Sequence, residues 1–299
     1  MVSVGNDIIK NQMRPKNLKT KIFLDSGDPN ETKEILATLG FLDGQTTNPS
    51  LIAKNPEAQK RLAEGKKFTL DEIYGFYKGV VQEISNLIPN GSVSIEVYAD
   101  KDTKAEEMLK QGKEMFVWIP NAHIKFPITS EGLRAAKIAV KDGLRVNMTL
   151  CFSQEQAAAV YAATRGAKKG QVFISPFIGR LDDKGLRGVD LVKNIIEMYK
   201  KGDGHVEVLA ASARSIDHLY YSISMGADII TAPLKILSEW HKKKMIVPKD
   251  YEFYSRELQP IFYKDIALDK PWHEFNIQDD LTDAGIEKFA ADWNLLINY

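Results

Sequence analysis

The feature that most constrains the fold is an alternation: short apolar runs of strand length recur along residues 21–235, most of them separated by stretches of helical periodicity. A chain patterned this way forms a parallel α/β fold, because parallel neighbours must be joined by a crossover and the crossover is usually a helix. Eight runs are predicted as strands, at 21–27, 44–49, 93–99, 123–128, 145–152, 172–179, 206–212 and 228–234. Helix starts between them carry a chemical mark. Thr69-Leu70-Asp71-Glu72 and Ser153-Gln154-Glu155-Gln156 both fit the capping box, in which two side chains satisfy each other's orphan N–H groups. Over 70–88 one apolar face runs through Ile73, Phe76, Tyr77, Val80, Ile84, Leu87 and Ile88, the spacing of a helix packed on a core.

Eight strands with interleaved helices suit either a (β/α)8 barrel or a doubly wound open sheet. Central strands of an open sheet meet helices on both faces and read as continuous apolar runs, whereas barrel strands turn one face inward. Here Val93, Ile95 and Val97 alternate with Ser94 and Glu96; Ile124, Phe126 and Ile128 alternate with His123 and Lys125. Val146, Met148 and Leu150 leave Asn147 and Thr149 on the other face, and Ile22 and Leu24 leave Asp25. The expectation is an α/β fold, a (β/α)8 TIM barrel over residues 21–240, with the polar set inside. The run at 206–212 does not sort by this rule.

Residues 1–20 read as a polar, irregular N-terminal extension. Residues 241–299 read as a C-terminal helical extension holding Pro248, Pro260 and Pro271, ending in a helix whose Ile286, Phe289, Trp293 and Leu296 share a face. That face needs a cover, either the barrel's own outer surface or a neighbouring subunit of a homo-oligomer.

Charge excludes some partners. Lys and Arg total 40 and Asp and Glu total 40, so no basic excess speaks for nucleic acid or an anionic membrane surface. The run Lys242-Lys243-Lys244 reads as a solvated helix end. No stretch approaches the roughly 18 apolar residues of a membrane span, and the first 20 residues contain no secretory core, so a cytoplasmic protein is expected. The single cysteine, Cys151, cannot build an internal disulfide or a cysteine metal cluster, and the five histidines show no metal-ligand spacing.

Lys125 is the most informative residue, because it sits between Ile124 and Phe126 in an otherwise apolar strand. Lysine is rarely buried without a reason. Burial disfavours an ammonium and frees an amine to attack a carbonyl and form a Schiff base. The alternative is a lysine paired with Glu96 or Asp25 only to satisfy buried charge. An amine nucleophile also needs a proton donor to expel water and a base at the bond being broken or made. Asp25 and Glu96 are the right types for those tasks, while Thr149 and Asn147 can position a water and hold hydroxyls. Arg180 and Arg214 directly follow the sixth and seventh strands, at the end of a barrel where ligands bind. With Ser212 and the helix start near Ser215 they suit a phosphate; surface ion pairing is the alternative.

A series of motifs then stands out in order: Gly44-Gln45-Thr46-Thr47-Asn48-Pro49-Ser50-Leu51, His123-Ile124-Lys125-Phe126-Pro127 with Thr129-Ser130-Glu131-Gly132-Leu133, Asn147-Met148-Thr149-Leu150-Cys151-Phe152-Ser153, Phe173-Ile174-Ser175-Pro176-Phe177-Ile178-Gly179-Arg180 and Ala211-Ser212-Ala213-Arg214. Together with Leu281-Thr282-Asp283-Ala284-Gly285-Ile286 and Ala291-Asp292-Trp293, this series resembles the transaldolase family. The resemblance implies transfer of a dihydroxyacetone unit from a ketose phosphate, fructose 6-phosphate or sedoheptulose 7-phosphate, to an aldose phosphate in the non-oxidative pentose phosphate pathway. Sugar phosphates are then the partners. The resemblance makes Lys125 the Schiff-base lysine, Asp25 the acid/base at the C4 hydroxyl, and Glu96 with Thr149 the holders of the catalytic water. It gives Asn48, Asn147 and Ser175 the donor hydroxyls, adds Phe177 to the substrate-binding set, and assigns Arg180, Ser212 and Arg214 to the phosphate. No metal or organic cofactor is implied, since a protonated imine is the electron sink.

The related fructose-6-phosphate aldolases typically carry glutamine at the Glu96 position and tyrosine at the Phe177 position, so Glu96 and Phe177 favour transfer over free cleavage. The chain departs from the best-known transaldolases at 181–185, at 164–170, which reads as an insertion, and in its C-terminal region. Two alternatives stand beside the transferase: an aldolase-like enzyme that cleaves a ketose phosphate or another anionic ketose without an aldose acceptor, and a non-catalytic phosphosugar-binding barrel.

Overall fold

The computed structural model describes residues 14–255 and 257–298. Eight strands, β1 (Lys21–Asp25), β2 (Gly44–Thr46), β3 (Ser92–Glu96), β4 (Ala122–Pro127), β5 (Val146–Cys151), β6 (Val172–Pro176), β7 (Val206–Ala210) and β8 (Ile229–Ala232), pair in parallel and in chain order, and β8 closes on β1. The fold is the (β/α)8 TIM barrel that the alternation requires.

All eight predicted strands are present, and all eight stop short of their predicted C-terminal ends. The motif residues there leave the sheet to build the mouth. Asn48 caps the helix Pro49–Ala53 by accepting the Leu51 N–H, and Pro49 could not have donated to a ladder. Residues 178–179 open the short helix Ile178–Asp182, and Ser212 leaves the β region altogether at φ 58°.

Alternation sorts the strand faces as expected. Val93, Ile95, Ile124, Phe126, Val146 and Met148 are fully buried, with Ile124 and Phe126 lying against Gly112 of the helix Ala105–Phe116. The interior is polar above an aromatic floor. His123 stacks on Phe173 at 4.0 Å and Phe23 meets Phe173 edge-on at 6.2 Å. Burial pushes the His123 imidazole down to about 3, which keeps this ring neutral. The unsorted run at 206–212 is explained by Glu207 of β7, a buried carboxylate that meets Lys21 of β1 at 3.0 Å.

Around the barrel both predicted capping boxes form, at Thr69 with Glu72 and at Ser153 with Gln156. Of the N-terminal extension, residues 1–13 lie outside the described residues. Arg14 ties the remainder down through Asp43 at 2.6 Å and the Thr20 carbonyl at 3.0 Å.

After the helix Leu234–Lys242 the chain runs as a strap over the outer helices. Asn194 donates to the Ile261 carbonyl and Gln154 to the Lys264 carbonyl, so polar groups on the helices Gly188–Tyr199 and Gln154–Ala163 satisfy a backbone that has no ladder of its own. The strap delivers the final helix, Asp280–Leu295, to the C-terminal mouth of the barrel. There Ile286, Phe289, Trp293 and Leu296 are buried, with Trp293 packed on Tyr74 and Tyr77 at 5.8 and 5.9 Å. The cover for this face is thus the mouth of its own barrel. Among the described residues no helix is long and apolar enough to cross a membrane.

Candidate active site

The site grows out of strand register. Glu96 of β3 and Lys125 of β4 are directly paired residues whose side chains share the interior, and Lys125 Nζ lies 2.7 Å from Glu96 Oε2. Each side chain is 4% exposed. The same ammonium donates to the Thr47 carbonyl at 3.0 Å. Burial pushes the Glu96 carboxyl above its ordinary range and the neighbouring Lys125 pulls it back.

A buried chain of hydroxyls fixes this pair from behind. Tyr77 OH accepts the Glu96 N–H at 3.0 Å and donates to Thr47 Oγ1 at 2.7 Å, and Thr47 donates onward to the Ser94 carbonyl at 2.7 Å. Desolvation drives the Tyr77 phenol well above its ordinary value, so it stays a neutral donor. Across the barrel, Thr46 Oγ1 donates to Asp25 at 2.7 Å and accepts from Thr231 Oγ1 at 2.7 Å. Burial raises the Asp25 carboxyl, opposed by Thr46 and by the charges of Lys125 and Lys54. Ser175 of β6 donates to Asn147 of β5 at 2.7 Å, and Asn147 donates to Ser94 at 3.1 Å.

Two orphaned polar atoms remain. Among the described residues Thr149 Oγ1 is buried with no hydrogen-bond partner, and Glu96 Oε2 has only its ion pair. A buried hydroxyl left unpaired costs about 1–3 kcal/mol, so such an atom in an otherwise satisfied network calls for a ligand or water. A void of about 10 Å³ lies against Glu96, Pro127 and Phe289, close to the smallest that admits one water. The backbone beside Thr149 is strained: β5 bulges between Met148 and Cys151, and Leu150 takes φ 61°, rare for a bulky residue. Thr282 of the final helix holds that turn by donating to the Leu150 carbonyl at 3.0 Å.

A cavity of about 260 Å³ opens above these groups. Of the predicted residues, Asp25, Asn48, Lys125, Ser175, Phe177, Arg180 and Ser212 line it. Glu96 and Asn147 stand immediately behind that lining, in contact with Lys125 and Ser175 respectively, and Thr149 lies two residues beyond Asn147 on the same strand. The Arg180 guanidinium lies between the rings of Phe177 and Phe289, 5.4 and 5.3 Å from their centroids. Among the described residues no carboxylate pairs with it; Glu96 and Asp183 act on it only at longer range.

Arg214 is placed otherwise. It is not among the residues that line the cavity, and it forms a two-pronged, half-exposed pair with Asp183, one prong at 2.7 Å. Asp183 caps the C-terminal end of the helix that carries Arg180. Several cavity residues were not anticipated. Thr46 and Thr231 orient Asp25, while Lys288, Phe289 and Asp292 reach the cavity from the final helix. Asp292 accepts Ser50 Oγ and the Lys288 ammonium, tying that helix to the segment that carries Asn48. No group of three or more potential metal ligands occurs among the described residues.

Residues 22–298 match the family described as Transaldolase/Fructose-6-phosphate aldolase. The chain is 36% identical over 273 residues to a probable transaldolase of Dehalococcoides mccartyi, covering 91% of this chain and 97% of that one. It is 37% identical over 273 residues to a probable transaldolase of Brucella anthropi, covering 91% and 96%. A probable transaldolase of Cereibacter sphaeroides is 42% identical over 217 residues, covering 73% of this chain and 86% of its own.

Proposed function

The chain belongs to the transaldolase/fructose-6-phosphate aldolase family, and from that membership we propose that it is a transferase, a transaldolase acting through a Schiff base on Lys125. It moves a dihydroxyacetone unit from fructose 6-phosphate or sedoheptulose 7-phosphate to an aldose phosphate. The observation that carries this reading is the buried Lys125–Glu96 pair opening on a polar cavity that also presents Asp25 and an uncompensated guanidinium. A pair kept only to neutralise buried charge would need neither the cavity nor the unpartnered Thr149 hydroxyl beside it.

The cycle follows from what each group can give or take. Glu96, its carboxyl raised by burial, takes a proton from the adjacent ammonium and leaves a free amine. The amine attacks C2 of the ketose, a C–N bond forms, the C=O π bond breaks, and the proton shed by the attacking nitrogen passes to the former carbonyl oxygen, giving a neutral carbinolamine. Proton return from Glu96 through a water shared with Thr149 expels that hydroxyl as water and leaves the iminium. Asp25 then removes the C4 hydroxyl proton as the C3–C4 bond breaks; the electron pair enters the iminium, giving an enamine and a free aldose phosphate. An incoming aldose reverses these steps. Arg180, with Ser212 at the same end of the cavity, holds the phosphate so that C2 lies over Lys125, and Asn48, Asn147 and Ser175 take the donor hydroxyls. The reading assigns the enzyme to the non-oxidative pentose phosphate pathway in the cytoplasm, as its motifs imply.

Transfer and free cleavage are separated by the acceptor. With fructose 6-phosphate and erythrose 4-phosphate, sedoheptulose 7-phosphate should form continuously, and without erythrose 4-phosphate release of glyceraldehyde 3-phosphate should stop after about one turnover. Steady release of dihydroxyacetone without acceptor would instead identify an aldolase.

A further inference from the structure

The anion-binding end of the cavity is built from two segments belonging to different βα units. Arg180 lies on the helix Ile178–Asp182 after β6, and Ser212 on the turn after β7. Neither is rigid by itself: a five-residue helix is too short to be stable alone, and Ser212 sits at φ 58°, a conformation that surrounding structure must enforce. Two backbone bonds join them, Ile178 N–H to the Ala211 carbonyl at 3.0 Å and Gly179 N–H to the Ser212 carbonyl at 3.1 Å. Gly179 permits that approach, since a Cβ there would stand 2.6 Å from the Ser212 oxygen.

Behind these bonds lies a side-chain link that the proposed chemistry does not use. His218, on the helix Ile216–Ser224, is buried and accepts the Arg214 N–H on Nδ1 at 3.2 Å. Its Nε2 lies 2.9 Å from Asp182 Oδ2. Because Nδ1 accepts from an N–H, the ring proton belongs on Nε2, the nitrogen that faces the Asp182 carboxylate. The other Asp182 oxygen accepts the Gly188 N–H at 2.9 Å, so both oxygens are engaged. Phe253 of the strap packs on the imidazole, ring centroids 5.5 Å apart.

We propose that Asp182 and His218 are positioning residues: a buried strut from the end of the Arg180 helix to the backbone of Arg214, which fixes Arg180 and Ser212 relative to each other and so sets affinity for the phosphorylated end of the substrate. The inference rests on the reading of Arg180 as the phosphate anchor. It differs from the external Asp183–Arg214 pair, which is half-exposed and open to screening by salt.

The test is the transfer reaction to erythrose 4-phosphate with fructose 6-phosphate and, separately, unphosphorylated fructose as donor. His218→Gln keeps an N–H donor at the ε position toward Asp182 and leaves the δ position, where Nδ1 accepts the Arg214 N–H, without an acceptor. It should raise KM for fructose 6-phosphate about fivefold, the value of one ordinary hydrogen bond, while kcat with that donor and kcat/KM for fructose stay within about twofold. Asp182→Ala, a second route to the same break, should do likewise, and the double variant should be no worse than either single one because the two act as one unit. Equal losses on both donors, or unchanged KM for fructose 6-phosphate in the folded variants, would overturn the strut. Arg180→Ala separates the two readings. If it too fails to distinguish the donors, the phosphate anchor itself is wrong; if it distinguishes them while His218→Gln and Asp182→Ala do not, only the strut is lost.

Discussion

Gly285→Ala is the substitution whose outcome the geometry fixes most tightly. Gly285 lies on the final helix, and a Cβ built there would stand 2.6 Å from Arg180 Nη1 and 2.6 Å from a Leu150 methyl. Comfortable contacts are about 3.5 Å, so one neighbour must retreat by roughly an ångström. Leu150 cannot easily do so, being fully buried on a left-handed backbone whose carbonyl is held by Thr282. Arg180 can, since among the described residues two phenyl rings and no carboxylate hold its guanidinium. Overpacking costs about 1–3 kcal/mol and the better helix propensity of alanine returns about 1 kcal/mol, so net destabilisation should not exceed about 2 kcal/mol. Binding should suffer more. A displaced guanidinium forfeits a charge-assisted hydrogen bond of about 1.5–3 kcal/mol, about a 10- to 100-fold loss in kcat/KM for fructose 6-phosphate. Steady-state kinetics with fructose 6-phosphate and with fructose, alongside thermal unfolding, give the comparison. Unchanged kinetics with the phosphorylated donor, or an equal loss with both, would refute the claim that the final helix sets the place of Arg180.

Two further outcomes follow from the burial of the catalytic groups. Thr149→Val removes a hydroxyl that has no hydrogen-bond partner among the described residues, so denaturant unfolding should show stability unchanged or raised by about 1 kcal/mol, while kcat falls at least about tenfold because the reacting water loses its holder; a destabilised variant with normal kcat would contradict this. Asp25 must be ionised to take the C4 proton and burial raises its carboxyl, so activity should be lost as pH falls through a value above the ordinary carboxylate range. Lys54 opposes that rise, and Lys54→Met should therefore move the acid limb of the kcat/KM profile to higher pH; a limb that stays put or moves down would count against Asp25 as the base.

Much of this was legible in the sequence because a parallel barrel converts sequence parity into direction. Glu96 and Lys125 lie on adjacent strands at inward positions, so their pairing needed only the register that parallel strands supply. Asp25 and Thr149 share that parity. Strand ends were less legible, since residues such as Asn48 and Ser212 begin in a strand-like run and then turn to serve the mouth. Phe289 read as one member of an apolar face; that it also walls the cavity depends on the strap that precedes the final helix, described over residues 257–279, which has no periodicity to read. Arg214 was placed by strand order and by the motif it closes, neither of which shows its partner, Asp183, 31 residues away in a different βα unit.

Borohydride reduction in the presence of fructose 6-phosphate tests the central claim most directly, because it fixes the iminium where it forms. Peptide mapping should find a reduced dihydroxyacetone unit on the peptide containing Lys125, with none after Lys125→Met. Absence of an adduct there, or an adduct that survives Lys125→Met, would contradict the assignment of Lys125 as the nucleophile and with it the Schiff-base account of this barrel.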